Sequence, residues 1–284
     1  MKPGQGRLFF FGDRALYVGP GVPATAHAHL ALQLCIPLSG AVRLRSGTAS
    51  RWRSYAGALI PSNHPHESDV AVALIASIWL EPTSEAARAL APAPAREGIR
   101  ALEPAVLRSA VPRLLALWRA GLDEARAERA LAEVLAILAG EAGPRRAGDL
   151  RVARACELLA AAPARRLPIG ELAGSVALSP SRLSHLLRGE LGLPARRYSL
   201  WLRLRDAVAA LARGASVTGA AHGAGFADAA HLSRTFRRMV GFPPSAALRV
   251  SQFVQAGAAA SGEAHGHDVA HGRASGSVGR NCAH

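Results

Sequence analysis

Three histidines and a glutamine near the amino end have types and spacings suited to ligand chemistry. His27 and His29 are two residues apart, Gln33 follows four residues later, and His66 lies beyond a turn-rich stretch. Side chains at positions i and i+2 of a strand point to the same face, so both imidazoles can enter one interior. These four residues form the candidate effector pocket.

A second set of polar side chains recurs on one face of a predicted helix that begins at residue 180. Ser179 is placed to cap this helix and Pro180 to be its first residue. A supporting helix and a short turn precede it, which is the pattern of a helix-turn-helix unit. The helix turns leucines inward and hydrogen-bonding groups outward, as a helix in the major groove of DNA must. The predicted base contacts of this unit are Ser181, Ser184 and His185.

The same pattern recurs between residues 217 and 240, with a glycine-rich supporting helix and Asp228 as the cap of the second one. Its predicted base contacts are Ala230, His231 and Arg234. A helix over 194–212, about 28 Å long at 1.5 Å per residue, joins the units. Successive half-sites on DNA lie about 34 Å apart, so the pair can read two neighbouring grooves. The arginines predicted to bind phosphates are Arg182, Arg188, Arg196, Arg197, Arg237 and Arg238.

The elements that must position these residues are of two kinds. Short segments at 8–11, 15–18, 30–37, 41–44, 58–60 and 70–80 alternate with turn residues and predict a β-sandwich or small barrel. Helical patterns at 105–119 and 123–139 have apolar stripes that fit the barrel or a second subunit. We therefore expect an α+β multidomain chain. Its predicted parts are a sensing barrel (1–82), a helical packing or dimerisation segment (83–140), a linker (141–150), an all-α domain (151–253) and a disordered tail (254–284).

Charge and composition narrow the function classes. The formal net charge is +14, and residues 145–255 contain 17 basic and only six acidic residues. A basic domain beside a nearly neutral one indicates a polyanionic partner. The three cysteines lack the spacing of a zinc finger, and the longest apolar run, 70–80, is too short to span a bilayer. With no leader pattern at the start, we expect a soluble cytoplasmic protein without a membrane partner.

The helical part resembles the DNA-binding domain of the AraC/XylS family of bacterial transcription regulators over about residues 151–253. The residues that carry the resemblance are Leu172, Ala173, Ser179 to Leu183, Gly192, Arg203, Leu204, Ala207, Gly225, Phe226, Asp228, Leu232 to Arg234, Phe236, Gly241 and Pro244. The resemblance implies a sequence-specific regulator, not an enzyme, with double-stranded DNA as partner. It also implies a homodimer and contact with RNA polymerase. Ala220, Leu187 and Ala230 depart from the usual family residues.

The amino-terminal pattern is similar to the first motif of the cupins, with Gln33 in place of the usual glutamate, and residues 57–66 loosely match the second. In metal-binding cupins, histidines at these positions bind the ion, so the resemblance implies His27, His29 and His66 as ligands if a metal is bound, with His64 as a substitute. The change from Glu to Gln removes an anionic ligand, so the sequence favours a small organic effector, or no ligand, over a metal, and requires no cofactor. Two alternatives stay open: a metal-dependent cupin enzyme with a DNA-binding domain, and a DNA binder without sequence preference.

Overall fold

The computed structural model describes residues 6–70, 74–90, 98–121, 123–140, 148–161 and 167–255. Its amino-terminal part is built from nine strands in chain order. They are β1 (Gly6–Phe11), β2 (Arg14–Gly19), β3 (Ala24–His27), β4 (Leu32–Pro37), β5 (Val42–Ser46), β6 (Arg53–Tyr55), β7 (Ala58–Ile60), β8 (His66–Asp69) and β9 (Ile75–Leu80). Helix α1 (Glu85–Leu90) and strand β10 (Arg100–Ala101) follow.

These strands form two sheets. The larger sheet has the order β10-β7-β4-β9-β2-β1, and the smaller one has the order β3-β8-β5-β6. Central strands β4 and β9 are almost wholly apolar and buried on both faces. The smaller sheet is more polar, and across β5 and β8 it is joined by the ion pairs Arg43–Asp69 and Arg45–Glu67. The β domain predicted for the amino-terminal part is therefore present, and it is built from two sheets.

Two long helices cover the outer face of the larger sheet. Helix α2 (Pro104–Arg119) begins with a proline in its first turn. Backbone N–H groups in the first turn have no acceptor within the helix, so the N–H that proline lacks costs no hydrogen bond. Helix α3 (Glu124–Gly140) packs against it. Leu107, Leu114 and Leu131 join strand residues in one buried core. The sequence left the barrel or a second subunit as partners for the apolar stripes of these helices. In the structure the stripes pack against the strands of the β domain.

The carboxy-terminal part consists of helices and one strand. They are α4 (Leu150–Ala161), α5 (Ile169–Gly174), α6 (Pro180–Leu191), α7 (Ala195–Ala212), α8 (Val217–Gly223), α9 (Ala229–Val240), α10 (Pro244–Val250) and strand β11 (Ser251–Gln255). Helices α4 to α6 share one buried core with the start of α7, and α8 to α10 share a second with the rest of α7. Helix α7 thus belongs to both units, as its predicted joining role requires.

The fold departs from the sequence prediction at strands that are short or polar. Strands β3, β6 and β10 lie at sheet edges, and β8 has the polar sequence His-Glu-Ser-Asp, so none has the apolar run that identifies a strand. Strand β11 was expected partly in the all-α domain and partly in the tail; instead it pairs in parallel with β1. Residues 141–147 of the expected linker and 256–284 of the expected tail lie outside the described residues.

Among the described residues, no helix combines the length and the apolar character needed to cross a membrane.

Leu114→Ala tests the core between α2 and the large sheet. Leu114 has no exposed surface, so its truncation leaves a cavity and should lower the free energy of unfolding by about 2–5 kcal/mol. Leu150→Ala is the matched control, because Leu150 is 84% exposed and should change stability by less than about 0.5 kcal/mol. Urea unfolding followed by circular dichroism measures both. Equal effects would contradict the packing of α2 on the sheet.

Candidate functional site

Helix α6 has the cap and the faces that its sequence predicts. The hydroxyl of Ser179 accepts a hydrogen bond from the backbone N–H of Arg182 at 3.2 Å, which satisfies a free donor of the first turn. At the other end Gly192 adopts φ 72°, a left-handed cap that glycine adopts without steric cost. Leu183, Leu187 and Leu191 are buried. The buried leucines therefore determine which side of α6 faces inward and which residues lie on its outer face.

The predicted reading residues of α6 lie on that outer face. Ser181, His185 and Arg188 are exposed, Arg182 is exposed beside them, and Ser184 is half-buried. These groups offer hydroxyl, imidazole and guanidinium donors along one stripe, which is the chemistry needed for base edges and phosphates in the major groove.

Helix α9 repeats this arrangement. The carboxylate of Asp228 accepts from the backbone N–H of His231 at 2.6 Å, and Gly241 ends the helix at φ 86°. Ala230 and Arg234 are exposed, and so are the predicted phosphate contacts Arg237 and Arg238. His231 is half-buried, with its ring edge-on to Phe226 at 5.2 Å between centroids. His231 therefore contributes to packing as well as to the outer face.

The supporting helix α8 forms despite its glycines. Ser216 caps it by accepting from the N–H of Gly219 at 3.1 Å. Ala220 and Ala221 let α8 pack closely on Phe226 and Phe236, which fill the core of the second unit. The weak helix propensity predicted from the glycines is offset by the cap and by this close packing.

Helix α7 joins the two units and carries the last predicted phosphate contacts. Its 18 residues span about 27 Å at 1.5 Å each. Arg196 and Arg197 are exposed near its start. The outward faces of α6, α7 and α9 thus supply all twelve residues predicted to contact DNA, and their contacts with DNA remain predictions.

A cavity of about 200 Å³ lies between the β domain and the helical domain. The four predicted pocket residues His27, His29, Gln33 and His66 all line it. Most of the other lining side chains are apolar, and they come from both domains; examples are Leu8, Tyr17, Ile60, Trp79, Trp201, Val208 and Phe242. The shape and lining suit a small molecule that is largely apolar and has a few polar groups.

The three histidines form one buried cluster at the wall of this cavity. His27 and His66 are paired across β3 and β8, with ring centroids 4.1 Å apart, and His29 lies 5.1 Å from His66. Burial lowers the pKa of His27 to about 4 and of His66 to about 2, with further lowering from the neighbouring histidines. Burial also lowers the pKa of His29. All three rings are therefore neutral at pH 7.

His64, the substitute ligand suggested by the sequence, lies outside this cluster. Its Nε2 is 2.9 Å from the hydroxyl of Ser46 instead. Gln33 is inside the site, with its Oε1 2.7 Å from Nε2 of His29.

The sequence did not identify the contacts that join the two domains. The indole N–H of Trp201 donates to the buried carboxylate of Glu81 at 3.0 Å, and Arg205 lies 3.8 Å from the same oxygen. Burial raises the pKa of Glu81, although the bond from Trp201 and the charge of Arg205 act in the opposite direction. Trp201 also packs against the core of the helical domain. In the sequence, the only feature that could have pointed to Glu81 as a contact residue is its position directly after an apolar strand.

A second interdomain contact fixes the end of α9 on β3. Both the backbone N–H and the hydroxyl of Thr25 donate to the carbonyl of Gly241, at 3.1 and 2.8 Å. A Cβ at Gly241 would lie 2.7 Å from Ala24 Cβ and 2.7 Å from His27 Nδ1. Gly241 is therefore required both for its left-handed backbone and for the close approach of the domains.

Residues 172–249 match a family model described as a helix-turn-helix domain. The match includes α6, α7 and α9 with all predicted DNA contacts. No curated protein sequence matches the chain.

The fold is similar to solved structures of ToxT from Vibrio cholerae. An apo variant from strain SCE256 has a TM-score of 0.60 and 11% identity, and covers 84% of this chain and 98% of that one. ToxT from strain O395 has a TM-score of 0.56 and 12% identity, and covers 84% and 96%. Wild-type ToxT from strain SCE256 bound to an unsaturated fatty acid has a TM-score of 0.53 and 12% identity, and covers 88% and 98%. The likeness extends over both domains and shows a shared fold.

Arg234→Ala tests the reading face of α9. Arg234 is exposed on a well-capped helix, so loss of its guanidinium should weaken binding to a specific duplex by about 1–3 kcal/mol. Arg129→Ala on α3 is the control, since it removes the same charge from an exposed site in the other domain. Fluorescence anisotropy with a labelled duplex measures both. Unchanged affinity in Arg234→Ala would mean that α6 alone reads the bases.

Proposed function

We propose that this protein, an AraC-type regulator by its helix-turn-helix domain and its two-domain fold, controls transcription by binding specific duplex sequences in response to a small molecule held between its domains. The observation that carries the proposal is the shared cavity, whose wall contains residues of both domains. A ligand there contacts the sensor and the DNA-reading domain at once. The proposed site of action is the cytoplasm, where bacterial DNA lies.

The reading surfaces support the DNA part of this proposal. Two capped helices, α6 and α9, each expose polar and basic side chains, and α7 fixes their separation. Arginines on both helices and at the start of α7 add phosphate contacts, which release counterions and make affinity depend on salt. Base selection then comes from the serines and His185 of α6 and from Arg234 of α9.

The interdomain contacts support the response to an effector. Thr25 holds the end of α9, and Glu81 holds Trp201 and Arg205 of α7, so the sensor contacts the two helices that orient the second reading unit. An effector that binds one arrangement of the domains more tightly than another shifts the population toward it. The resulting change in the placement of α9 alters affinity for two-part DNA sites.

The lining of the cavity indicates the chemistry of the effector. The structure of ToxT bound to an unsaturated fatty acid supports an effector with a largely apolar body. In the present chain most of the wall is apolar. Its polar groups include the neutral imidazoles, the Gln33 amide and the charged side chains of Asp13, Arg14, Glu81 and Arg205. We propose an organic effector with an apolar body whose polar atoms meet the histidine wall.

A homodimer and a contact with RNA polymerase are further parts of the proposal and rest on the family resemblance. Sedimentation velocity of the purified protein distinguishes monomer from dimer. The regulator proposed here is not an enzyme, and its histidines serve binding.

Selection from a library of random duplexes tests the proposed function directly. We expect enrichment of a site with two blocks whose centres are about one helical turn, or about 10 base pairs, apart. The Ser184→Ala/His185→Ala variant should select a site altered in one block only, because these residues lie on α6 alone. No enrichment over the starting library would favour a binder without sequence preference and would overturn the proposal.

Gly241→Ala tests the coupling between the domains. The added methyl would clash with Ala24 and His27, so α9 should separate from β3 and the Thr25 amide should exchange faster. Hydrogen–deuterium exchange of peptides covering residues 24–27 measures this change. The affinity for DNA should also change, because β3 no longer holds the end of α9 in the second reading unit.

Gly192→Ala is the matched control for this experiment. Both glycines are left-handed helix caps, so either alanine costs about 1–2 kcal/mol of strain, but a Cβ at Gly192 meets nothing within 4 Å. Only Gly241→Ala should alter exchange at residues 24–27. The same exchange in both variants would show that α9 is not held by β3.

A further inference from the structure

The carboxylate of Glu81 lies at the wall of the cavity with one oxygen unpaired. Glu81 is only 6% exposed, and it lines the cavity between the domains. Its Oε2 accepts from the indole of Trp201, whereas its Oε1 has no hydrogen-bond partner among the described residues. A buried carboxylate oxygen without a donor costs free energy, and a ligand that donates to it removes part of that cost. Glu81 is therefore placed to accept from a donor group of a ligand.

We infer that Glu81 receives the protonated head of an organic amine whose apolar body lies in the cavity, a step that rests on the proposed effector function and gives the effector its chemical class. An ammonium group combines a positive charge with several N–H donors. It therefore supplies the missing hydrogen bond and offsets the buried negative charge at once.

The two arginines that line the cavity are already close to carboxylates. Nε of Arg14 lies 3.3 Å from Oδ1 of Asp13, which lines the cavity as well. Arg205 lies 3.8 Å from Glu81 and also 3.8 Å from Asp206. The wall thus has no unbalanced positive charge that would attract the carboxylate of an anionic effector.

The histidines of the wall present acceptors to the cavity. Nδ1 of His27 lies 2.8 Å from the carbonyl of Thr25, and Nδ1 of His66 lies 2.9 Å from that of His64. A carbonyl only accepts, so each Nδ1 carries the proton of the neutral ring and each Nε2 keeps its lone pair. These lone pairs repel a carboxylate, whereas further N–H or O–H groups of an amine find acceptors there.

Aromatic rings line the same cavity. The indole of Trp201 donates to Glu81, and its ring centroid lies 6.5 Å from that of His29, so it links the carboxylate with the histidine wall. Tyr17 and Trp79 also line the cavity, and the hydroxyl of Tyr17 already donates to a backbone carbonyl at 2.7 Å. The face of an aromatic ring attracts a cation, so these rings favour an organic cation over an anion.

Burial raises the pKa of Glu81, and three neighbours act in the opposite direction. They are the indole of Trp201, the charge of Arg205 and the hydroxyl of Tyr198. An ammonium group beside the carboxylate acts in the same direction as these three, because an opposite charge favours the ionised form. Binding of the amine and ionisation of Glu81 therefore support each other.

The Glu81 site is part of the contact between the domains. Trp201 and Arg205, the two partners of Oε2, both lie on α7, which joins the reading units. A positive charge beside the carboxylate reduces its attraction for Arg205. Occupancy of the site by an amine therefore changes the contact that holds α7 against the sensor.

Isothermal titration calorimetry of the full-length protein with three ligands of one chain length tests the inference. The ligands are octylamine, octanoate and octan-1-ol, which share an apolar body and differ in the charge of the head. We expect one octylamine per chain, bound at least about 10-fold more tightly than either of the others, as a hydrogen bond between charged groups allows. Equal or tighter binding of octanoate, or no binding of octylamine, would overturn the inference.

Glu81→Gln removes the charge and keeps an oxygen that can accept from Trp201. It should weaken octylamine binding about 10–100-fold and leave the affinity for octan-1-ol unchanged. Asp206→Asn is the matched control, because Asp206 lies beside Arg205 but does not line the described cavity. It should bind octylamine as the wild type does. An equal loss in both variants, or no loss in Glu81→Gln, would contradict a site at Glu81.

The wild-type protein decides the question even if Glu81→Gln unfolds. Octylamine should raise the Tm of the wild type more than octanoate does at the same concentration, and the reverse order would count against the site. A cavity that prefers octanoate or octan-1-ol would overturn the amine inference and retain a small-molecule effector. Failure to select a specific duplex would instead overturn the proposed function, so the two failures are distinguishable.

Discussion

The close approach of α9 to strand β3 is the constraint on which the rest of the arrangement depends. Thr25 donates two hydrogen bonds to the carbonyl of Gly241. Because Gly241 has no side chain, the helix can approach the strand this closely. Ala24 and His27, on either side of Thr25 in the chain, line the cavity, and so do Glu81 and Trp201. Because the cavity wall is shared, occupancy of the cavity and orientation of the DNA-reading domain are physically linked.

The two reading units are held in different ways. The first has a leucine core that it shares with α4 and α5, and Leu30 of the sensor is buried in the same core. The second relies on small residues, Ala220 and Ala221, that let helices approach closely around Phe226 and Phe236, and its end is held by the sensor. The sensor therefore contacts both units, through the leucine core of the first and at the end of α9 in the second.

The buried polar groups of the interface are few and specific. Burying the Glu81 carboxylate costs free energy, which the indole of Trp201 and the charge of Arg205 offset in part. Its Oε1 has no partner among the described residues. A buried carboxylate oxygen without a hydrogen bond makes this interface less stable than an apolar one would be. This lower stability is consistent with domains that rearrange. The neutral histidines that line the same cavity can bind a ligand without first losing a proton.

The sequence by itself determined the local features. Ser179, Asp228 and the glycine caps act within a single turn of chain, and apolar spacing sets which face of α6 and α9 is buried, so both helices and their outer residues could be predicted. The His-x-His pair could be predicted to share a face for the same reason. Only the tertiary structure decided which distant residues meet: His66 opposite His27, Glu81 against Trp201, and β11 beside β1. Short polar strands and interdomain contacts depend on partners far along the chain, and no local period or cap in the sequence encodes them.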